Sequence, residues 1–339
     1  MKKLIALGLA ACMTFSLAGC SGSASKETEA ASAAETTAAA STEAETSAAA
    51  SDTATSIDKL TVTYVTSPLN VPTIIEKDQG IFEKELGVPV EYAELTSGAD
   101  QTQALASGDV QVLYAVGATS VILSAANGAD IKVLNMYSRS PKAFCMYSKD
   151  ETLTTPENLK GKTIAGPTGT NLHELLVSYL AQADMTLDDV NYVNMTIPDA
   201  KAGLDGGSVD VALLAGATAY NAEQQGYHLV ADGEGLISAL IAVATTLKFY
   251  DEHPDVIKKL NAAQEEIASY MADSQDKTIE TVAAALDLDV DAVKEMYGFY
   301  DFSTEITDAD KEGFQNTADF MYESGMIENE LDVNTLFIQ

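Results

Sequence analysis

From Leu60 the chain repeats one unit: a short apolar run rich in β-branched residues, a small polar turn, then a helical stretch. Leu60-Thr-Val-Thr-Tyr-Val-Thr66 alternates as a strand does, and Ser67-Pro68-Leu69-Asn70 opens a helix that ends near Gly80. The cycle returns with Val88 to Leu95, a helix closed by Gly108, Val110 to Val116, a helix from Thr119 to Asn127, and Ile131 to Tyr137. A second set follows Pro156: Thr163 to Ala165, the helix Asn171 to Ala183, Val190 to Met195, the helix Ala200 to Leu204, Val209 to Leu214, and the helix Ala217 to Gln225. Strands alternating with helices imply a parallel sheet covered on both faces, because each crossover lays a helix on the sheet. The expected fold is α/β, in two lobes of the same construction, each a mostly parallel sheet flanked by helices. Leu105-Ala-Ser-Gly108-Asp-Val110-Gln-Val112 and Leu204-Asp-Gly-Gly207-Ser-Val209-Asp-Val211 match at Leu, Gly, Val and Val with a constant offset of 99. Ordinary αβ junctions produce the same pattern, so the echo adds little alone.

Leu236 to Ala244 is apolar, but too short and too interrupted to span a membrane. Beyond it the chain turns helical. After Pro254 the residues Val256, Ile257, Leu260, Ala263, Ile267, Tyr270 and Met271 share one helix face. Helices over Thr278 to Leu286, Val290 to Tyr297 and Asp308 to Ser324 are expected to return and pack on the first lobe.

The amino-terminal end sets the compartment. Met1-Lys2-Lys3 and the apolar run Leu4 to Leu17 have the layout of a secretory signal, residues 1–19. The run closes in Leu17-Ala18-Gly19-Cys20, which resembles a bacterial lipobox; that resemblance implies a diacylated Cys20 as the mature amino terminus. Two acyl chains meet the two-signal requirement for stable anchoring. Residues 21 to 56 hold 13 Ala, 8 Ser, 7 Thr and 5 Glu with no aromatic or large aliphatic residue, so 20–56 is expected to be a disordered tether. An extracytoplasmic, lipid-anchored body follows, on the periplasmic side if the host has two membranes.

With 19 Lys plus Arg against 51 Asp plus Glu, the formal charge is −32, and Arg139 is the sole arginine. Phosphate backbones are held by Lys and Arg, so nucleic acid is excluded as a partner. The acid excess reads as a solubility device. Three cysteines, Cys12, Cys20 and Cys145, exclude a disulfide scaffold or a Cys-rich zinc module.

Catalytic motifs are near misses. Gly161-Lys162-Thr163 ends like a P-loop, but Pro156 stands where its first glycine belongs; His173-Glu174 opens like a zincin helix, but Val177 replaces the second histidine. Asp287, Asp289 and Asp291 have calcium-loop spacing, yet Ala292 and Gly298 occupy the Gly and Glu positions, and the acids read as helix caps. Cys145 lies in an apolar run and reads as core. No catalytic residue, metal site or cofactor is expected.

What does recur is a strand running into a small polar turn at a helix start: Leu95-Thr96-Ser97-Gly98, Val116-Gly117-Ala118-Thr119 and Gly166-Pro167-Thr168-Gly169-Thr170-Asn171. Each is a helix cap, and each also lies where ligands sit in open α/β sheets.

Leu105-Ala-Ser-Gly-Asp-Val110, Leu159-Lys-Gly-Lys-Thr-Ile-Ala165, Gly169-Thr170 before His173-Glu-Leu-Leu, Tyr179-Leu180, Asp188-Asp-Val190 and His253-Pro-Asp255 together resemble the solute-binding proteins of nitrate, sulfonate and taurine type ABC transporters. The resemblance covers about Leu60 to Ile327. It implies a two-lobed clamp of the type II periplasmic-binding-protein kind, with crossover strands near Lys142 to Tyr147 and Ile237 to Thr246. Residues 57–143 with 244–339 would form lobe 1, and 144–243 lobe 2. It also implies a monomer that captures a small molecule and delivers it to an ABC permease with a separate ATPase subunit, touching the membrane through its lipid anchor only.

The ligand contacts it implies are Thr66, Ser67 and Pro68; Thr96, Ser97 and Gly98; Gly117, Ala118 and Thr119; and Thr168, Gly169, Thr170 and Asn171. The chain departs at Leu213-Leu-Ala-Gly-Ala-Thr218, where sulfonate-binding relatives often carry Trp and Pro. Two ligand classes stay open: an oxyanion or sulfonate held by helix amino termini and hydroxyls, or a pyrimidine-like vitamin precursor stacked on Tyr64, Tyr92, Tyr114 or Tyr137. Two alternatives to transport also stand: a pyrimidine-precursor enzyme of the same fold, whose cysteine-rich stretch is missing here, and a surface sensor.

Overall fold

The computed structural model describes residues 55–338 except Pro68 and Thr96. The expected signal segment 1–19, Cys20 and most of the expected tether therefore lie outside the described residues. Thr55 and Ser56, which composition assigns to the tether, are held by the folded body. Ser56 donates from its backbone N–H and its Oγ to the Asp255 carboxylate, both at 2.7 Å.

Before the first crossing the elements are β1 (Leu60–Thr63), α1 (Val71–Gln79), α2 (Ile81–Leu86), β2 (Val90–Ala93), α3 (Gly98–Ser107), β3 (Leu113–Gly117), α4 (Ala118–Ala126) and β4 (Lys132–Arg139). The next set is β5 (Phe144–Ser148), β6 (Thr163–Gly166), α5 (Asn171–Ala181), β7 (Asn191–Asn194), α6 (Ile197–Gly206), β8 (Val211–Ala215), α7 (Gly216–Gln224) and β9 (His228–Asp232). The chain then returns through β10 (Leu240–Thr245), α8 (Leu247–Glu252), α9 (Pro254–Asp273), α10 (Gln275–Leu286), α11 (Val290–Tyr297) and α12 (Asp308–Glu323).

In the first lobe β1 and β2 pair in parallel, and the bridge Val62–Val112 ties β1 to the segment entering β3. A second ladder runs β3-β10-β4, and the second lobe is one sheet ordered β7-β6-β8-β5-β9. Each lobe is mostly parallel, as expected, and mixed only through one opposed strand, β10 in the first lobe and β5 in the second. β10 runs antiparallel to β3 and β4, and β5 antiparallel to β8 and β9, while β6 is parallel to β7 and β8. The reason is topological: a strand that enters a lobe from its neighbour starts at the edge where the other strands finish. β10 pairs wholly within the first lobe, so the division expected at 243/244 falls inside a strand.

The two crossings abut. Ser140 N–H donates to Ala239 O at 3.4 Å, and a Cβ on Gly233 would meet Pro141 O at 2.5 Å, so only glycine lets them approach.

The sequence echo is structural. Gly108 (φ 82°) and Gly207 (φ 75°) both close a helix in the left-handed region, donating to Leu105 O and Leu204 O at 3.1 and 3.2 Å. After each glycine the chain docks on its parallel neighbour, through Thr63 N–H to Val112 O and Asp210 N–H to Thr163 O.

The apolar stripe of α9 is buried as its spacing requires, with Val256, Leu260, Ala263, Ile267 and Met271 against α1 and α2. Each large side chain buried this way contributes about 1.5 to 3 kcal/mol. α10 packs on α1, and α12 on α4 and β10. α11 departs from expectation by also touching α7 of the second lobe.

Candidate functional site

β3 and β4 both end at the edge where the chain crosses, and register aligns Gly117 of β3, Ile241 of β10 and Ser138 of β4 in one row. At that edge β3 runs directly into α4, β6 leads to α5, and β8 runs directly into α7. The amino termini of α4, α5 and α7 have no side-chain cap: Gly117, Thr170 and Ala215 occupy the cap positions without bonding a helix N–H. A helix start leaves its first N–H groups unpaired and carries a partial positive charge, so these termini are donors for an anion. α3 differs, because Ser97 Oγ already accepts from Asp100 N–H at 3.3 Å.

The lobes meet at Gly117. A Cβ built there would lie 3.6 Å from Thr119 Oγ1 and 3.8 Å from Asn171 Oδ1, so the start of α4 in one lobe faces the start of α5 in the other. Thr119 Oγ1 and Asn171 Oδ1 are both buried and find no hydrogen-bond partner among the described residues. The same holds for Ser138 Oγ at the row just described, Ser140 Oγ on the first crossing, and His173 Nε2. A buried polar group left unpaired costs about 1 to 3 kcal/mol, so several at one edge mark a place built to be completed by a partner.

The α5 loop is shaped by its own bonds. Thr168 N–H donates to Asn194 Oδ1 at 3.0 Å, Thr170 Oγ1 donates to Pro167 O at 2.9 Å, and Tyr192 OH donates to Gly166 O at 2.8 Å. Gly169 takes φ 72°, which favours glycine, and its N–H donates to His173 Nδ1 at 3.3 Å. That bond leaves the proton on Nε2. Burial lowers the His173 pKa, and the neutral ring stacks on Tyr192 with centroids 5.0 Å apart.

Of the residues expected from sequence, Gly117, Thr119 and Asn171 are brought together. Ala118 is buried at the same helix start. The Ser97 and Thr170 hydroxyls are engaged locally, and Gly98 abuts Ser120 of α4. Thr168 and Ser67 are exposed, and Thr66 O accepts from Asn70 N–H at 3.1 Å. Pro68 and Thr96 fall outside the described residues. Sequence reasoning missed Ser138, Ser140, Glu174 and Thr317. Glu174 Oε1 accepts from Thr317 Oγ1 of α12 at 2.8 Å, and its pKa is raised to about 7, by burial first, with the Thr317 bond acting the other way. The i, i+3 spacing of Asn171 and Glu174 places both on one face of α5, a signal present in the sequence.

Arg139 is committed to Asp310, Asp301, Ser303 and Glu305. The tyrosines are also committed. Tyr114 and Tyr137 are core rings in an edge contact, and Lys77 Nζ sits 3.8 Å from the centre of the Tyr64 ring. Cys145 is buried in β5, its thiol pushed up to about 12 by burial. The spaced acids are not side-chain caps as expected: Asp287 closes α10 in the left-handed region, and Asp289 precedes α11 without a side-chain cap bond. Among the described residues no group of three or more His, Cys, Asp or Glu could hold a metal ion.

Two lobes of mixed sheet, crossed twice and facing each other with uncapped helix starts, define the periplasmic-binding-protein class of α/β fold. The alkanesulfonate-binding protein SsuA from Xanthomonas axonopodis pv. citri, solved with MOPS bound, shares that fold at a TM-score of 0.76 and 20% identity, over 83% of this chain and 98% of that one. The chain belongs to the NMT1/THI5-like family, whose model matches residues 67–278. Among curated proteins it is similar to the taurine-binding periplasmic protein of Escherichia coli K12, 30% identical over 203 residues, or 59% of this chain. That match spans 62% of the relative's length, under two thirds of it. A putative aliphatic sulfonates-binding protein of the same organism is 24% identical over 77% of this chain and 83% of its own.

Proposed function

We propose that this protein is an extracytoplasmic solute-binding protein that closes two lobes over a sulfonate or similar oxyanion and presents it to an ABC permease. One observation carries the reading: Gly117 and Asn171 face each other across the lobes, with buried, unpartnered Thr119 Oγ1 and Asn171 Oδ1 beside uncapped helix starts. The Thr119 hydroxyl and the helix-start N–H groups are neutral donors that suit a fully ionised monoanion, whereas Asn171 Oδ1 accepts and suits a donor group elsewhere on the ligand. The names of the relatives point the same way. A stacked pyrimidine has less support, because Tyr114 and Tyr137 are occupied in the core and Tyr64 is covered by Lys77.

In this reading residues 57–143 with 240–339 and residues 144–239 act as the two lobes, hinged at Ser140 to Ala143 and Gly233 to Ala239. Thr66, Ser67, Pro68, Thr96, Ser97, Gly98, Ala118, Thr168, Gly169 and Thr170 complete the loops around the ligand. Cys20 carries the lipid, residues 20–54 tether the body outside the cytoplasm, and the protein works as a monomer without enzymatic turnover. Among the described residues no helix is long and apolar enough to cross a membrane. The test is a thermal-shift screen of taurine, alkanesulfonates, nitrate and pyrimidines. A true ligand at a hundredfold excess over Kd stabilises the fold by about 2.7 kcal/mol. A shift with pyrimidines alone overturns the sulfonate reading.

A further inference from the structure

Glu174 and Thr317 are 143 residues apart, on helices of different lobes. Glu174 lies on α5, which packs on β5 and β8, and Thr317 lies on α12, which packs on α4 and β10. Both side chains are buried, at 5% and 3% exposed, and the hydroxyl donates to the carboxyl at 2.8 Å. The pair sits one helical turn behind Asn171, on the face of α5 that meets Gly117. Parting the lobes must break this bond and hydrate the carboxyl.

We infer that the Glu174–Thr317 bond is a latch made when the lobes close, and that it couples ligand capture to uptake of a proton. The inference rests on the solute-binding reading above. Glu174 is a positioning residue: it acts on the ligand through closure. The surroundings isolate it: the turn Pro156–Leu159, which also packs on α5, carries only the exposed Glu157, which acts on Tyr179 farther along the helix. α4 (ATSVILSAA) and β10 (LIAVAT) contain no titratable residue, nor do β5 and β8 on the faces α5 meets except Cys145 and Tyr147, which belong to the opposite cluster. On α12 the neighbours of Thr317 one turn away are Gly313, Phe314, Phe320 and Met321, and Asp310 farther along is paired with Arg139. His173, the adjacent residue on α5, is held neutral against Tyr192. Burial raises the closed-state carboxyl to about 7, and an open lobe returns it toward its ordinary value, so the closed state holds the extra proton.

The test measures the Kd of the full chain for 1-butanesulfonate, which does not titrate in this range, at pH 6 and pH 8. Binding about tenfold tighter at pH 6 is expected for a carboxyl near 7 that closes from an ordinary state. Glu174→Gln keeps a polar partner for Thr317 and needs no proton to close, so it is expected to bind equally at both pH values and more tightly than the unaltered chain at either. Thr317→Val is expected to weaken binding severalfold at both. A tenfold pH dependence that survives in Glu174→Gln, or an unaltered affinity in Thr317→Val, overturns the latch. If no sulfonate binds at any pH, the sulfonate reading fails and the latch is judged on the unliganded chain at pH 8. There, slower hydrogen exchange at the start of α5 in Glu174→Gln than in the unaltered chain supports it, and equal exchange overturns it.

Discussion

Arg139 donates from Nε and Nη2 to the two carboxylate oxygens of Asp310 at 2.6 and 2.7 Å. This two-pronged pair fastens the end of β4, immediately before the first crossing, to the first turn of α12. It also removes the chain's sole arginine from the list of ligand contacts, so an anion here is held without a guanidinium.

Arg139→Met is expected to destabilise the protein by about 3 kcal/mol or more, because Asp310 is 2% exposed and would stay charged without its partner. Burial pushes the Asp310 carboxyl up, but the bonds from Arg139 and Thr307 outweigh it and hold it below its ordinary value. A depressed folded-state pKa gives stability that is present above the unfolded value, near 4, and is lost as pH falls below it. Denaturant titrations from pH 7 to pH 3 check this: the difference between the two proteins should shrink at the acid end.

Thr119→Val removes a buried hydroxyl that has no partner among the described residues. The unliganded variant is expected to be as stable as the unaltered chain or more so, while affinity falls about tenfold, the equivalent of one lost hydrogen bond. A calorimetric scan beside a binding titration separates the two effects.

Gly117→Ala tests the meeting point directly. Gly117 has φ −67°, open to any residue, and the new Cβ makes only ordinary contacts at 3.6 and 3.8 Å. Stability should therefore change little, and the methyl should weaken binding about tenfold or more by filling the approach to Asn171.

Glu76 is a second buried carboxyl raised to about 7, mainly by burial, although Tyr92 OH and Phe82 N–H both donate to it. A raised folded-state pKa gives stability that is complete below the unfolded value, near 4.5, and is lost as pH rises through 7. Glu76→Gln is expected to raise stability at pH 8 by about 3 kcal/mol at most and to do nothing at pH 4. Ligand affinity should not move, which distinguishes this group from Glu174.

The strand and helix cycle from Leu60 was legible because each βα unit writes its own local signals: β-branched runs, glycine stops at Gly108 and Gly207, and the apolar stripe of α9. The loops at Gly117, Thr119 and Asn171 were legible for the same reason, as strand ends running into helix starts. Strand direction was not, since nothing local in Leu240–Thr245 tells whether it enters its sheet from above or below. The Glu174–Thr317 bond was equally hidden: each residue alone reads as an ordinary helix position, and only the return of α12 across the first lobe brings them together.

The central claim is tested most directly by isothermal titration of the full chain and of Asn171→Ala with taurine and 1-butanesulfonate, followed by mass spectrometry of the released ligand. The account predicts one-to-one binding by the unaltered chain, at least tenfold weaker binding by Asn171→Ala, and recovery of the ligand chemically unchanged. Binding that Asn171→Ala leaves intact, or a released ligand that has been converted, would contradict it.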